Sequence, residues 1–182
     1  MPGSNTAPLQ SASPIRPRIG RNVYIAPTSF VAGDLVIGDD CTIMHHVMIR
    51  ADIAPIRIGK RVNVQDGSNL HTKFGVPLEI GDDVAIGHRA VVHCRRVGDR
   101  TLIAIGAIVL DDAEIGADCV IGAGAVVAPG TIIPDGRMVL GLRGRIVRDT
   151  NVQDRAMVRD VVENYLRLGR EYAAGRFPNH CD

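Results

Sequence analysis

Aliphatic residues recur every six positions along most of this chain. A helix would repeat apolar residues at spacings of three and four, and a simple strand at a spacing of two. A period of six therefore predicts short strands joined by tight corners, with one aliphatic residue of each strand turned inward. The positions in phase are Ile19, Ile25, Val31, Ile37, Ile43, Ile49, Ile58, Val64, Leu70, Ile80, Ile86, Val92, Val97, Ile103, Val109, Ile115, Ile121, Val127, Ile133 and Val139.

Three such hexapeptides make one turn of a triangular coil, whose turns stack at the spacing of neighbouring strands, about 4.8 Å. Small or β-branched residues often stand four places after the aliphatic one, as at Cys41, Ser68 and Ala90. We therefore predict a mainly β fold, a parallel β-helix shaped as a triangular prism, over residues 15–149. About six and a half turns would make the prism roughly 30 Å long.

The two ends of the chain follow other patterns. Residues 1–14 are rich in Pro, Ser and Ala and predict a flexible leader. After residue 149 the apolar residues take helical spacing, which predicts a helix over 150–175 that packs on the prism and covers part of an open end. Thr150 with Gln153 fits a capping box, and Gly175 is a suitable stop. Residues 176–182 remain as a tail.

Composition narrows the class of protein. The 182 residues suffice for one domain, and 21 basic against 20 acidic residues give no electrostatic reason to bind nucleic acid or an anionic membrane. The four cysteines lack CxxC spacing, which argues against a zinc knuckle or a disulfide scaffold. We find no secretory signal and no apolar run of membrane-spanning length, so we expect a soluble cytoplasmic protein.

Three candidate residues share one column of the predicted prism. One turn is three hexapeptides, and extra residues around Pro55 and after His71 must be added to the count. With that correction Arg50, His71 and His93 lie on successive turns, about 4.8 Å apart. Two imidazoles at this spacing can converge on one ion at the zinc–nitrogen bond length of about 2.0–2.1 Å.

A third histidine, His88, belongs to another column, which runs through His45, Asp66, His88 and Ile105. It follows a preceding strand on a different face and cannot reach the same ion within one chain. A neighbouring copy can supply it, and a three-sided prism suits a closed cyclic trimer with three equivalent sites. We therefore predict a homotrimer with metal sites between subunits.

Four segments of the chain resemble the γ-class carbonic anhydrases, hexapeptide-repeat proteins whose parallel β-helix is left-handed. They are Ile49–Asp52, Asn63–His71, Pro77–His93 and Ile121–Gly130. The spacing H-x16-H-x4-H behind an upstream QDGS is much more specific than the repeat itself. Relatives from phenylacetate and carnitine pathways share this fold and a helical tail.

The resemblance implies a metal enzyme. His71 and His93 of one subunit and His88 of the next would hold zinc, with Fe²⁺ or Co²⁺ as alternatives. A metal-activated hydroxide would attack CO2 and give bicarbonate, which is lyase chemistry.

The resemblance also implies roles for four polar residues. Gln65 would hydrogen-bond the metal-bound water, and Arg50 and Asp66 would form a salt bridge across the trimer interface with Asp52 nearby. Arg50, Asp52 and Asp66 would act either in catalysis or in holding the subunits together.

Some positions depart from the family pattern. Ala104-Ile105-Gly106 stands where Gly-Met-Gly is usual, and the segment Met138–Gly144 replaces a stretch that contributes a pocket residue. Ile105 and Asn63 are our candidate pocket residues. His45 and His46 either shuttle protons or are simply solvated.

These departures leave other functions open. The same metal site would also serve hydrolysis or hydration of another substrate, such as an acyl-CoA thioester. A further alternative is hexapeptide acyl transfer, with one interface histidine as general base and no metal. The presence of three histidines argues against it. A structural or metal-carrying trimer without catalysis is the non-enzymatic alternative.

Overall fold

The computed structural model describes residues 13–179, so most of the predicted leader and the last three residues of the predicted tail lie outside the described residues. Short strands separated by corners follow one another along the chain. They are β1 (Arg18–Ile19), β2 (Tyr24–Ile25), β3 (Phe30–Ile37), β4 (Thr42–Ile43), β5 (Met48–Ile58), β6 (Asn63–Val64), β7 (Asn69–His71), β8 (Leu78–Ile80), β9 (Ala85–Ile86), β10 (Val91–Val92), β11 (Arg96–Val97), β12 (Leu102–Ile103), β13 (Ile108–Val109), β14 (Glu114–Ile115), β15 (Val120–Ile121), β16 (Val126–Val127), β17 (Ile132–Ile133), β18 (Arg137–Leu140) and β19 (Arg145–Asp149). One helix, α1 (Val152–Ala173), follows.

The strands stack in parallel on three faces. β2, β4, β6, β9, β12, β15 and β18 form one face, to which β19 adds an antiparallel strand. β7, β10, β13 and β16 form the second, and β1, β8, β11, β14 and β17 the third. The long strands β3 and β5 run round the corner between these two faces and join them into one sheet. This arrangement confirms the predicted fold class, a parallel β-helix of hexapeptide repeats followed by a helix.

The interior of the coil is filled by the repeating aliphatic residues. Leu70, Val92 and Ile103 are representative, with no exposed surface. Small residues at the predicted places, such as Ser68 and Ala90, are also fully buried and let the chain turn at the corners. Because successive residues of a strand point to opposite sides, the other residue of each two-residue strand faces outward.

The outward residues distinguish the three faces. The outward side chains of the open face are apolar except for one, and no element within residues 13–179 packs on them. They are Phe30, Met48, Asn69, Val91, Ile108 and Val126. The charged face presents Arg18, Val36, Arg57, Glu79, Arg96, Glu114 and Ile132. The helix face presents Tyr24, Thr42, Asn63, Ala85, Leu102, Val120 and Met138, and α1 lies on it.

The helix α1 packs along the helix face over successive turns. Val158, Val162 and Leu166 are buried against the outward residues of that face, from Met138 to Ala85. The helix therefore packs along the prism, on one of its sides, and cover of part of an open end stays a prediction. Gly169 allows the close approach, since a Cβ there would stand 2.4 Å from Thr42 Oγ1.

The helix begins one residue later than the capping box predicted. Asn151 is the N-cap, and its side chain and that of Asp154 each accept the other residue's backbone N–H. Thr150 cannot serve because it is buried and its hydroxyl donates to the carbonyl of Asp118. At the other end Gly175 adopts the left-handed conformation, with φ of 72°, and its N–H donates to Tyr172.

The structure also describes the helix in relation to membranes and the state of the cysteines. No helix within residues 13–179 is long and apolar enough to cross a membrane. Cys41, Cys94 and Cys119 are free and buried, and burial raises the pKa of Cys41 and of Cys94 to about 12. These thiols therefore stay protonated, while Cys181 lies outside the described residues.

Candidate metal centre

The predicted histidine column is confirmed at the end of the open face. Arg50 of β5 pairs in register with His71 of β7. His93 follows β10 and lies one turn further, with its ring centroid 5.2 Å from that of His71. His71 Nδ1 and His93 Nε2 face each other at 3.1 Å. Both rings are about one-quarter exposed, so they stand at the surface of a single chain.

Each of these imidazoles also contacts a carboxylate. His71 Nε2 lies 3.1 Å from Asp52 Oδ1, and His93 Nδ1 lies 2.6 Å from Asp111 Oδ1. Desolvation alone would raise the pKa of Asp52. The hydrogen bond from His71, that from its own backbone N–H and the charge of Arg50 outweigh it, so the pKa falls below its ordinary value. Asp52 is therefore ionised at neutral pH and can accept a hydrogen bond from a protonated ring nitrogen.

The position of one proton on His71 gives this pair two states. With the proton on Nδ1, hydrogen bonds run from Arg50, 3.1 Å from Nε2, through both rings to Asp111. With the proton on Nε2, His71 donates to Asp52, and His93 still donates to Asp111. The lone pairs of His71 Nδ1 and His93 Nε2 then face each other across 3.1 Å, which is a favourable position only if a cation lies beside them.

This second state fits a metal ion. Zinc–nitrogen bonds of about 2.0–2.1 Å at a tetrahedral angle would set two ligand nitrogens roughly 3.3–3.4 Å apart. The nitrogens of His71 and His93 lie 3.1 Å apart and need to move little. Carboxylates on the far nitrogens are also what fixes the tautomer and ring orientation of metal-bound histidines.

His88 stands at the opposite edge of the open face. It precedes β10, whereas His93 follows it, so the two side chains leave the chain at opposite ends of one strand. Its ring lies between two partners: Nδ1 is 3.1 Å from Asp66 Oδ2, and Nε2 is 2.9 Å from the hydroxyl of Tyr165. Within residues 13–179 of one chain, no three His, Cys, Asp or Glu side chains converge on a common point.

Two residues of this region were not predicted from the sequence. Asp111 lies one place beyond the register of the column, because this turn is one residue short and Val92 pairs with Val109, 17 residues later. Counting one residue past the column would have found it. Tyr165 belongs to α1. Burial first, and then the charge of Asp66, raise its pKa, so the hydroxyl keeps its proton. No local spacing links it to His88.

The remaining candidate residues line the same corner as His88. Gln65 is buried and its amide donates to Asn63 Oδ1. The Nδ2 of Asn63 is also buried and has no hydrogen-bond partner within residues 13–179. Ile105 continues the His88 column, with 57% of its surface exposed. The role of Gln65 towards a bound water stays a prediction. The predicted salt bridge between Arg50 and Asp66 of different subunits also stays a prediction.

His45 and His46 lie two turns away from His88 along the same corner. His45 Nδ1 is 3.1 Å from the hydroxyl of Thr28, and its ring packs edge-on against Tyr172 of α1. His46 is exposed. In the altered segment, Met138 is buried beneath α1, and Gly141 accepts the N–H of Val126 at the end of the open face.

Known proteins resemble this chain over most of its length. A family model described as "Bacterial transferase hexapeptide (six repeats)" matches residues 16–51 and 96–129. A protein named "Carbonic anhydrase" from Geobacillus kaustophilus is 44% identical over 158 residues, which cover 87% of this chain and 87% of that protein. The chain belongs to the γ-type carbonic anhydrase family of hexapeptide-repeat proteins.

Two further relatives show how widely this family and its fold extend. "Gamma carbonic anhydrase 1, mitochondrial" from Arabidopsis thaliana is 33% identical to this γ-type chain, over 87% of the chain and 60% of that protein. The crystal structure of a hexapeptide transferase family protein from Anaplasma phagocytophilum aligns with a TM-score of 0.81 and 28% identity, over 86% of this chain and 92% of that one. Carbonic anhydrases and transferases thus share this coil.

Proposed function

We propose that this chain is a γ-type carbonic anhydrase whose metal centre is shared between neighbouring subunits of a homotrimer. The observation that carries the proposal is the facing pair His71 Nδ1 and His93 Nε2, each ring held from behind by a carboxylate. A third nitrogen ligand, His88, stands at the other edge of the same face. An extended chain reaches at most about 3.3–3.6 Å per residue, so the five steps from His88 to His93 span up to roughly 18 Å.

The open face supplies a reason for subunits to associate. Its outward residues Phe30 and Met48 are 55% and 43% exposed, and Val91, Ile108 and Val126 continue the apolar stripe. Contiguous exposed apolar surface of this kind is typical of an interface. A cyclic arrangement brings one edge of this face in each copy against the opposite edge in the next, which joins His88 to the pair.

In such a centre some residues would orient the imidazoles and others would hold the metal. Asp111 and Asp52 accept the N–H of His93 and His71, and Asp66 lies 3.1 Å from His88 Nδ1. This arrangement leaves His88 Nε2, His93 Nε2 and His71 Nδ1 as lone-pair donors. Zinc held there would supply the Lewis acidity that activates water towards CO2. Arg50 lies 3.2 Å from Asp52 and adds to the hydrogen bond from His71 in favouring the ionised carboxylate.

Mixing two defective variants tests the shared site. His71→Ala and His88→Ala should each lose bound zinc and the CO2 hydration measured by stopped flow. Random co-assembly of the two variants should restore up to about one quarter of the wild-type zinc and rate, because the two intact halves meet at one contact in four. Mixing His71→Ala with His93→Ala should restore nothing, since both halves of that ligand pair must come from one subunit.

The result that would contradict the proposal is equally clear. No gain in zinc on mixing His71→Ala with His88→Ala would exclude a shared site. Full zinc without CO2 hydration would leave a metal-binding trimer or a hydrolase, and a panel of acyl-CoA esters would separate those two.

A second candidate function, metal-independent acyl transfer, draws support from the pair of Asp66 and His88. A carboxylate on Nδ1 is how a histidine is oriented as a general base. A chelator distinguishes the two functions. It should abolish CO2 hydration and leave acyl transfer from acetyl-CoA unchanged.

A further inference from the structure

The hydroxyl of Tyr165 occupies the nitrogen of His88 that faces away from Asp66. It lies 2.9 Å from Nε2, and the two rings meet at 64° with centroids 6.2 Å apart. The Asp66 carboxylate lies 3.1 Å from Nδ1 and favours the ring proton there, so that Nε2 carries a lone pair and accepts the O–H of Tyr165. In the single chain both nitrogens of this histidine therefore have a polar partner.

This tyrosine is held firmly by its own helix. Leu166 next to it is buried against the helix face, and the backbone carbonyl of Tyr165 accepts a hydrogen bond from Thr42. Gly169, one turn later, lets the helix lie directly on Thr42. The position of the hydroxyl is thus fixed by the packing of α1 on the helix face.

We propose that Tyr165 is a positioning residue that takes the place of the metal on His88 Nε2 until subunits assemble. It keeps His88 in the tautomer that a metal ligand requires, with the proton on Nδ1 and the lone pair on Nε2. Metal binding must then displace this one hydrogen bond. The inference rests on the proposed shared site, because only there does His88 meet an ion.

Two measurements on the full-length trimer test this role. Zinc affinity, from competition with a chromophoric chelator, should be roughly fivefold tighter in Tyr165→Phe, the size expected when one net hydrogen bond no longer has to be broken. The chain has no tryptophan and three tyrosines. Zinc should therefore change the intrinsic tyrosine fluorescence of the wild type, and Tyr165→Phe should lack this change while still binding zinc.

Tyr172→Phe is the matched control. It removes the same hydroxyl from the same helix, but its ring packs against Tyr24 and His45 rather than His88. It should leave both the affinity and the fluorescence change intact. Far-UV circular dichroism checks that both variants keep their helix.

The outcomes separate this inference from the proposed function. If His88→Ala weakens zinc binding but Tyr165→Phe leaves it unchanged or weaker, the stand-in role of Tyr165 is wrong and the shared site stands. If His88→Ala does not weaken zinc binding, the shared site fails and takes this inference with it. Tighter binding in Tyr165→Phe together with loss of the fluorescence change supports the role.

Discussion

Two faces of the prism carry apolar residues on the outside, and only one of them is covered. On the helix face, Leu102, Val120 and Met138 are at most 8% exposed because α1 lies on them. On the open face, Phe30 and Met48 are about half exposed, and no element within residues 13–179 packs there. Both faces come from the same six-residue repeat.

This difference separates contacts made within one chain from contacts left for another chain. The helix face is satisfied within one chain, whereas the open face is left for another copy. The histidines follow the same division. His88 is bound to the helix through Tyr165, and His71 with His93 stands at the far edge of the open face. Substitutions on the open face should therefore affect assembly, whereas substitutions under the helix should affect the stability of the single chain.

The largest expected effect comes from a charge on the open face. Val91→Arg would bury an unpaired guanidinium between subunits, at a cost of about 3 kcal/mol or more, so the trimer should dissociate at least 100-fold more readily and lose zinc. Sedimentation velocity over a range of concentrations measures this. Ile132→Arg, on the charged face and 70% exposed, is the control. Equal behaviour of the two variants would show that the open face is not the interface.

The next effect comes from the helix face. Leu166→Ala should lower the free energy of unfolding by about 2–5 kcal/mol, because it leaves a cavity beneath α1. Unlike Val91→Arg, this loss belongs to the single chain and should not depend on protein concentration in urea denaturation. Val152→Ala, at an exposed position of the same helix, should change little. Because Ala has the highest helix propensity, neither change weakens the helix itself, and an equal loss in both variants would contradict a specific packing role for Leu166.

A smaller effect is expected at the edge of the open face. Asp111→Asn removes the carboxylate 2.6 Å from His93 Nδ1 and should weaken zinc binding about 10–100-fold. Asp112→Asn, next in the chain, removes a carboxylate that pairs with Lys73 at 2.5 Å instead. Chelator competition should give a near-normal affinity for that variant. Identical losses would argue against a supporting role for Asp111.

The smallest effect concerns pH at the start of α1. Hydrogen bonds from Arg148 and from the Asn151 backbone lower the pKa of Asp154 from 3.8 to about 2. A lowered folded pKa contributes stability that is complete above about pH 5 and is lost as the pH falls towards 2. Asp154→Asn should therefore lower the melting temperature at pH 7 and by much less at pH 2, where about half of the native carboxyl is protonated. Asp160→Asn is the control, and a difference that is undiminished at pH 2 would refute this account.

The sequence by itself determined the coil and the histidine column. A period of six can be read from single residues, and each inward aliphatic residue from Ile37 to Val139, such as Ile86 or Val92, is buried as predicted. The register follows from counting, because stacked turns repeat the same local structure. Arg50, His71 and His93 therefore come together even though 43 residues separate the first from the last.

Only the tertiary structure decided what lies outside the coil. Nothing in the spacing of α1 says which face it covers, because that depends on the summed shape and polarity of outward residues from many turns. Tyr165 meets His88 for this reason, 77 positions away in the chain. The N-cap moved to Asn151 because Thr150 is already engaged by Asp118. Repeating contacts are local in sequence and countable, whereas docking of a separate element is not.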